Sequence, residues 1–220
     1  MDDYATLKAK VLASLRENNA CEQGCQAVMK AGNIGMFSLV MKEYWPYMIT
    51  QYREAAIRLF DAFYLPNREA LNKHGIFYNE SADRGYVFVT GGQQADVVIG
   101  GDARAWVFGS GMVEARDSAS VRLREQASAT LFGRSSCLAF DQTKVYAHDY
   151  SQVNASGRSL VVADGLCTVD AGEQAEVKAS KWRAIRAFGN ALVTSHTDNH
   201  ILISDAARIS VQQPIKKIVP

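Results

Sequence analysis

Cysteine and histidine are the side chains here whose spacing could hold a metal ion or carry acid–base chemistry. Cys21 and Cys25 lie one helical turn apart and could offer two thiolates, but no other Cys or His is close in sequence to complete four ligands. Cys137 and Cys167 fall at apolar positions of a repeat, where cysteine acts as a small hydrophobic residue. We therefore predict no metal site, no cofactor and a reducing environment.

Acid–base catalysis would need titratable groups that converge. If one coil of the fold takes 24 residues, His148 and His196 lie in the same outward column but two coils apart. The distance between them is then about 10 Å at the spacing of stacked strands. Asp117 and Asp141 would occupy adjacent corners of one column, as in β-helices that cleave sugars with paired carboxylates. A corner alone is sufficient reason for aspartate. We predict no catalytic residue and no enzyme.

The elements that would position these residues follow an eight-residue repeat. From Val89 to Lys216 the chain forms sixteen octads without insertion, such as Val113-Glu-Ala-Arg-Asp-Ser-Ala-Ser. Position 1 is apolar and mostly β-branched, and position 3 is usually Ala or a larger aliphatic residue, so both share one face of a strand. Position 5 is Gly or Asp in most octads, which suits a corner. The period predicts a parallel β-solenoid over residues 81–220.

Either two or three octads could complete one coil. A spacing of 24 residues aligns five valines, and it places Phe108 in one column with Phe132. A spacing of 16 residues mixes glycine with aspartate, and phenylalanine with charged side chains. We therefore predict a three-sided coil of three octads with about 4.8 Å between stacked strands.

The first eighty residues have a helical period instead. Apolar residues at helical spacing predict a first helix along the stripe from Leu7 to Leu15. With Gly32 and the prolines as boundaries, further helices are predicted over Ala20–Ala31, Met36–Trp45, Pro46–Phe63 and, as a short helix, Asn67–His74. The fold class is therefore α+β by segment, with a helical domain over residues 1–80. We expect these helices to cap the first coil, and the alternative is a partner-binding module.

Composition excludes several classes of function. The chain has 24 basic and 23 acidic residues and a net charge of +1, so no overall field attracts nucleic acid or an acidic membrane. No segment has the length of a membrane span, and the start Met1-Asp-Asp-Tyr lacks the basic and apolar regions of a signal peptide. We expect a cytoplasmic protein without membrane or nucleic-acid contact.

Outward positions of the octads carry many aromatic side chains, a pattern typical of a buried interface. We predict that the binding residues are Trp106, Phe108, Phe132, Phe140, Arg122 and Arg124. The partner would be a protein or a second copy of the chain.

The octads Val113-Glu-Ala-Arg-Asp-Ser-Ala-Ser and Ile185-Arg-Ala-Phe-Gly-Asn-Ala-Leu resemble V-x-A-x-D-N-A-x units in a loose group of β-solenoid proteins from gut bacteria and their phages. The resemblance covers about residues 80–215. Asn19-Ala20-Cys21 followed by Gly24 is also similar to openings in that group. The resemblance implies the solenoid architecture and a link with mobile elements, but it carries no activity or site residues.

Our leading hypothesis is a non-catalytic binding or scaffold protein that acts through its aromatic face. A phage accessory protein of this kind could inhibit a host defence complex by occlusion. The alternative is a carbohydrate-active or other hydrolytic enzyme with a site between the helical part and the solenoid, since β-helix enzymes bind substrate in a groove. Sixteen octads without insertion supply no long loops to wall such a groove.

Overall fold

The fold was described from a computed structural model, which covers residues 4–17, 19–91, 97–196 and 200–211. Octad residues 92–96, 197–199 and 212–216 lie outside this range. The described residues fall into two compact units, one within Met1–Tyr78 and Gly85–Val87, the other within Asn79–Arg84 and Phe88–Pro220. The predicted fold class, a helical part followed by a parallel β-solenoid, is confirmed.

The chain order of the elements is helical first and then entirely strand. The helices are α1 (Tyr4–Glu17), α2 (Glu22–Lys30), α3 (Ile34–Gln51) and α4 (Arg53–Lys73). The strands are β1 (Ile76–Tyr78), β2 (Tyr86–Val89), β3 (Val97–Ile99), β4 (Arg104–Val107), β5 (Met112–Ala115), β6 (Ser120–Leu123), β7 (Ser128–Leu131), β8 (Ser136–Ala139), β9 (Lys144–Asp149), β10 (Gln152–Ala155), β11 (Leu160–Gly165), β12 (Thr168–Ala171), β13 (Glu176–Lys181), β14 (Ala184–Ala187), β15 (Leu192–Ser195), β16 (Ile201–Ile203) and β17 (Arg208–Val211).

The helical unit is built around aromatic rings. Trp45 on α3 meets Phe60 on α4 with ring centroids 5.0 Å apart, and Phe60 meets Tyr78 on β1 at 4.4 Å. Phe37 and Phe63 also contact edge to face, at 5.8 Å. All five rings are buried, and of these the apolar spacing of the predicted fourth helix assigns Phe60 and Phe63 to the core.

Two prolines lie inside helices, which makes the predicted boundaries at these residues wrong. α3 continues through Pro46 to Gln51, and α4 continues through Pro66. Proline removes a backbone donor and disfavours the helical conformation of the preceding residue, which is why a boundary was expected. Burial of Trp45 on this segment favours a continuous helix. The break instead falls at Tyr52, whose φ of −135° lies outside the helical region.

Each coil of the solenoid has two sides and consists of two octads, so the prediction of a three-sided coil is wrong. Val153 on β10 pairs with Val169 on β12, and Val145 on β9 pairs with Val161 on β11. From β2 onward, even-numbered strands form one sheet in the order β2-β4-β6-β8-β10-β12-β14-β16. The odd-numbered strands form the second sheet in the order β3-β5-β7-β9-β11-β13-β15-β17. Every pairing with a defined register between these strands is parallel.

The space between the two sheets is filled by small aliphatic side chains. Positions 1 and 3 of the octads point inward, as the alternation predicted, and Val161, Ala163, Val169 and Ala171 are fully buried. Position 2 between them points outward. Because each strand is only a few residues long, one β-branched residue and one small residue suffice to fill its share of the core.

The corners explain why a glycine in one coil is so often followed by an acidic residue at the same corner of the next coil. An acidic side chain in one coil accepts a hydrogen bond from the glycine N–H of the preceding coil, which gives the pairs Gly101–Asp117, Gly109–Glu125, Gly133–Asp149, Gly157–Glu173 and Gly189–Asp205. Both members of every pair have positive φ. At Gly157 a Cβ would lie 2.7 Å from the backbone nitrogen of Asp141, so no larger residue fits.

Candidate functional site

Four of the six predicted binding residues lie together on the first sheet. Trp106 on β4 and Arg122 on β6 are direct register partners in adjacent coils. Arg124 follows β6, and Phe140 follows β8 in the next coil. Leu138, the register partner of Arg122 on β8, lies between these side chains. We call Trp106, Arg122, Arg124, Leu138 and Phe140 the arginine–aromatic face.

Both arginines of this face lie over aromatic rings. The Arg124 guanidinium carbon is 4.2 Å from the centroid of the Phe140 ring, and that of Arg122 is 5.9 Å from the Trp106 ring. Trp106 in turn stacks on the buried ring of Phe88 at 5.6 Å and an interplanar angle of 20°. The negative face of an aromatic ring attracts a cation, so these contacts favour conformations in which each guanidinium lies over its ring.

Within the described part of the chain, no nearby acid neutralises the charge of Arg122. Its side chain is exposed, and among the described residues no carboxylate lies within salt-bridge distance of it. Arg124 forms a salt bridge with Asp141, with Nη1 at 4.0 Å from Oδ1. The other oxygen of that carboxylate accepts a hydrogen bond from the backbone N–H of Glu125 at 2.9 Å.

A second arginine on the same sheet has the opposite environment. Arg186 on β14 donates from Nε and Nη2 to the two carboxylate oxygens of Asp170 on β12, each at 2.6 Å. These hydrogen bonds raise the pKa of Arg186 above its ordinary value. Arg186 is therefore paired with an acid of the adjacent coil. Arg122 lies in the same outward column, but its neighbour in the adjacent coil is a tryptophan.

The prediction that Phe108 is an exposed binding residue is wrong. Only 3% of its surface is exposed, and Val107 and Gly109 on either side are also buried. The alternation of inward and outward side chains holds within β4, but the chain turns immediately after Val107. Arg124 and Phe140 occupy the same position in their octads and are partly exposed, so octad position alone does not explain the burial of Phe108.

Phe132 does not join this face either. It follows β7 on the second sheet and stacks on His148, with centroids 5.1 Å apart and an interplanar angle of 12°. The predicted common column of Phe108 and Phe132 is wrong, because three octads make one and a half coils and lead to the opposite sheet.

The second sheet carries a row of polar side chains that begins at His148. Asp164 is the register partner of His148, and the Ser180 hydroxyl donates to Oδ1 of Asp164 at 2.9 Å. The base that activates a serine nucleophile is usually a histidine, whereas the acceptor of the Ser180 hydroxyl is a carboxylate. His196 lies in the same column three coils from His148, and not two as predicted, at about 14 Å.

The two carboxylates expected to neighbour each other are separated. Asp117 accepts from the N–H of Gly101 at one corner of the coil, where the chain passes from the second sheet to the first. Asp141 accepts from the N–H of Glu125 at the other corner. The predicted shared column of these residues is therefore wrong. Both carboxylates cap backbone donors, and they do not converge on a groove.

All four cysteines are free thiols. Burial raises the pKa of the Cys137 thiol far above its ordinary value, and burial is also the main cause that raises the pKa of Cys167. Cys21 precedes α2, and its sulfur accepts a hydrogen bond from the N–H of Gly24 at 3.4 Å. This capping role was missed by sequence reasoning, although a small polar side chain just before a helix is its usual signal.

Within the described part of the chain, no group of three or more His, Cys, Asp or Glu side chains could hold a metal ion. No helix described in the structure is both long and apolar enough to cross a membrane. The chain matches no protein-family model, no curated protein and no solved structure.

One signal in the sequence could have identified these contacts. Aromatic and charged outward residues recur two octads apart, in Trp106 with Arg122, Arg124 with Phe140, Phe132 with His148, and Asp170 with Arg186. Stacking or ion pairing between adjacent coils explains each pair. A spacing of 16 residues mixes aromatic with charged residues, which favours a coil of three octads in the sequence analysis. In the structure, the same mixture is the pattern of contacts between adjacent coils of two octads.

Proposed function

We propose that this chain is a non-catalytic binding protein and that its contact surface is the arginine–aromatic face. The observation that carries the proposal is Arg122, an exposed guanidinium held over Trp106 with no acidic partner among the described residues. The side chains beside it are Leu138 and Phe140, both partly exposed. Arginine and aromatic residues are the types in which binding energy concentrates at protein interfaces.

The contacts of the two arginines with aromatic rings support this proposal physically. An arginine in solution loses rotamer freedom when it binds, which costs about 0.5–1.5 kcal/mol for each immobilised side chain. The ring contacts of Arg122 and Arg124 reduce this loss before any partner arrives. The side chains of the face also project from, or directly follow, three paired strands, β4, β6 and β8, whose backbone is held by the parallel ladder. A surface of this kind would act by covering a partner, as a scaffold or an inhibitor does.

Capture from the source organism with matched double variants tests the proposal. Arg122→Ala with Phe140→Ala removes one cation and one ring from the face, and we expect a loss of about 2 kcal/mol of binding for each. Lys178→Ala with Tyr146→Ala removes the same two types from the second sheet, where both are exposed. The proposal requires specific capture that the first variant loses and the second keeps, with both variants folded. Equal capture by the two variants would place the contact elsewhere.

A further inference from the structure

We infer that the arginine–aromatic face binds an extended acidic protein segment with carboxylates on alternate residues; this inference rests on the function proposed above. The first observation is the pair Arg122 and Arg124. These residues are two positions apart along β6 and its end, so their Cα atoms are separated by about 6.6 Å and both side chains point outward. An extended peptide that lies along this strand presents every second side chain at the same interval.

The second observation is the pair that the chain itself forms on this sheet. Asp170 and Arg186 occupy the same outward column as Trp106, Arg122 and Leu138. There the guanidinium binds both oxygens of a carboxylate one coil away. At Arg122 the neighbouring positions hold a tryptophan and a leucine instead. Among the described residues none places a carboxylate beside Arg122, and a carboxylate of the bound segment would complete the same bidentate contact.

The remaining surface favours a peptide over a nucleic acid. Single-stranded nucleic acids bind proteins largely by stacking bases on exposed aromatic faces. Trp106 already has Phe88 on one side and Arg122 near it, and Phe140 carries Arg124. Leu138, the register partner of Arg122, offers an apolar contact suited to the methylene groups of a bound glutamate side chain.

Labelled synthetic peptides provide the test, with fluorescence anisotropy as the readout. The first peptide carries glutamate at every second position among threonine and valine, and the second has the same composition with its glutamates side by side. A single-stranded oligonucleotide of equal charge is the third probe. We expect the first peptide to bind about tenfold more tightly than the second and more tightly than the oligonucleotide, with affinity that falls as salt is added.

Variants assign this binding to the two arginines. Arg122→Gln and Arg124→Gln should each weaken the first peptide by about tenfold, whereas Lys178→Gln on the second sheet should leave it unchanged. Equal binding of the two peptides, no binding of the first, or tighter binding of the oligonucleotide would overturn the inference. If the peptides fail but Arg122→Ala with Phe140→Ala abolishes capture, the contact face stands and only the acidic ligand is wrong. If capture is also unaffected, the proposed function falls with it.

Discussion

The helical unit and the solenoid bury their apolar side chains in different ways. In the helical unit, large rings such as Trp45, Phe60 and Phe63 pack against one another at varied angles, and each contact is individual. In the solenoid the core is made of valine and alanine that repeat along two sheets. The neighbours of any solenoid residue are found by moving two octads along the chain in either direction, whereas no such rule gives the neighbour of Phe60.

This difference determines where substitutions destabilise each unit. A ring in the helical core fills an irregular space, so a substitution there affects the residues that touch it. In the solenoid each corner and each strand is repeated, and each depends on the coil before it for hydrogen bonds. Four substitutions, or pairs of substitutions, test this contrast.

The largest expected effect is all-or-none and tests the register of the solenoid. Thr130→Cys with Tyr146→Cys joins direct register partners in adjacent coils, at a spacing of about 4.8 Å that a disulfide can span. Thr130→Cys with Asn154→Cys joins positions three octads apart and places the thiols on opposite sheets. We expect oxidation to crosslink only the first pair.

The measurement is intact mass before and after reduction, in a Cys21→Ser, Cys25→Ser background. Serine at position 21 keeps an N-cap acceptor for α2. A crosslink between positions three octads apart, without one between positions two octads apart, would show that the coil is three-sided after all.

The next largest effect concerns the inward face of the solenoid. Val161→Asp places a carboxylate among fully buried apolar side chains, and we expect it to lower the free energy of unfolding by roughly 3 kcal/mol or more. Gln152→Asp puts the same side chain at an exposed position and should cost less than about 1 kcal/mol. Denaturant unfolding followed by circular dichroism compares the two. Equal destabilisation would mean that the inward and outward positions are misassigned.

A moderate effect is expected at the corners. Asp149 has φ 53° and accepts a hydrogen bond from the N–H of Gly133 at 2.9 Å. Asp149→Ala loses the hydrogen bond and strains the left-handed backbone, which should cost about 2 kcal/mol. Asp149→Gly loses only the hydrogen bond and should cost about 1 kcal/mol. Melting temperatures in the order wild type, glycine, alanine support this role, and an alanine variant as stable as wild type would contradict it.

The smallest effect is a stabilisation in the helical unit. Gly32 lies exposed between α2 and α3, its φ is not in the left-handed region, and a Cβ there would approach only the sulfur of Met36, at 3.8 Å. Gly32→Ala should therefore raise the free energy of unfolding by about 0.4–1 kcal/mol, because alanine lowers the conformational entropy of the unfolded chain. Gly157→Ala, at a solenoid corner with φ 68°, should destabilise. Thermal melts with the same sign of change in both variants would refute this contrast between the two units.

The binding face could be predicted only in part. Trp106, Arg122, Arg124 and Phe140 were selected as outward residues of the octads, and the structure places them on one sheet. Phe108 and Phe132 were selected by the same rule and are not on the face. The rule does not account for Phe108, which is buried although Arg124 and Phe140, at the same octad position, are partly exposed. It fails for Phe132 because the number of octads in a coil decides which sheet a strand joins.

The sequence by itself determined that a helical part precedes a β-solenoid, and which side chains of each octad point inward. Both follow from local periodicity, because the direction of a side chain along a strand or helix depends only on its position in that element. Tertiary structure alone decided that Pro46 and Pro66 stay within helices and that two octads close each coil. These outcomes depend on contacts between residues distant in sequence, such as the capping of Gly133 by Asp149, whose energies are absent from any single octad.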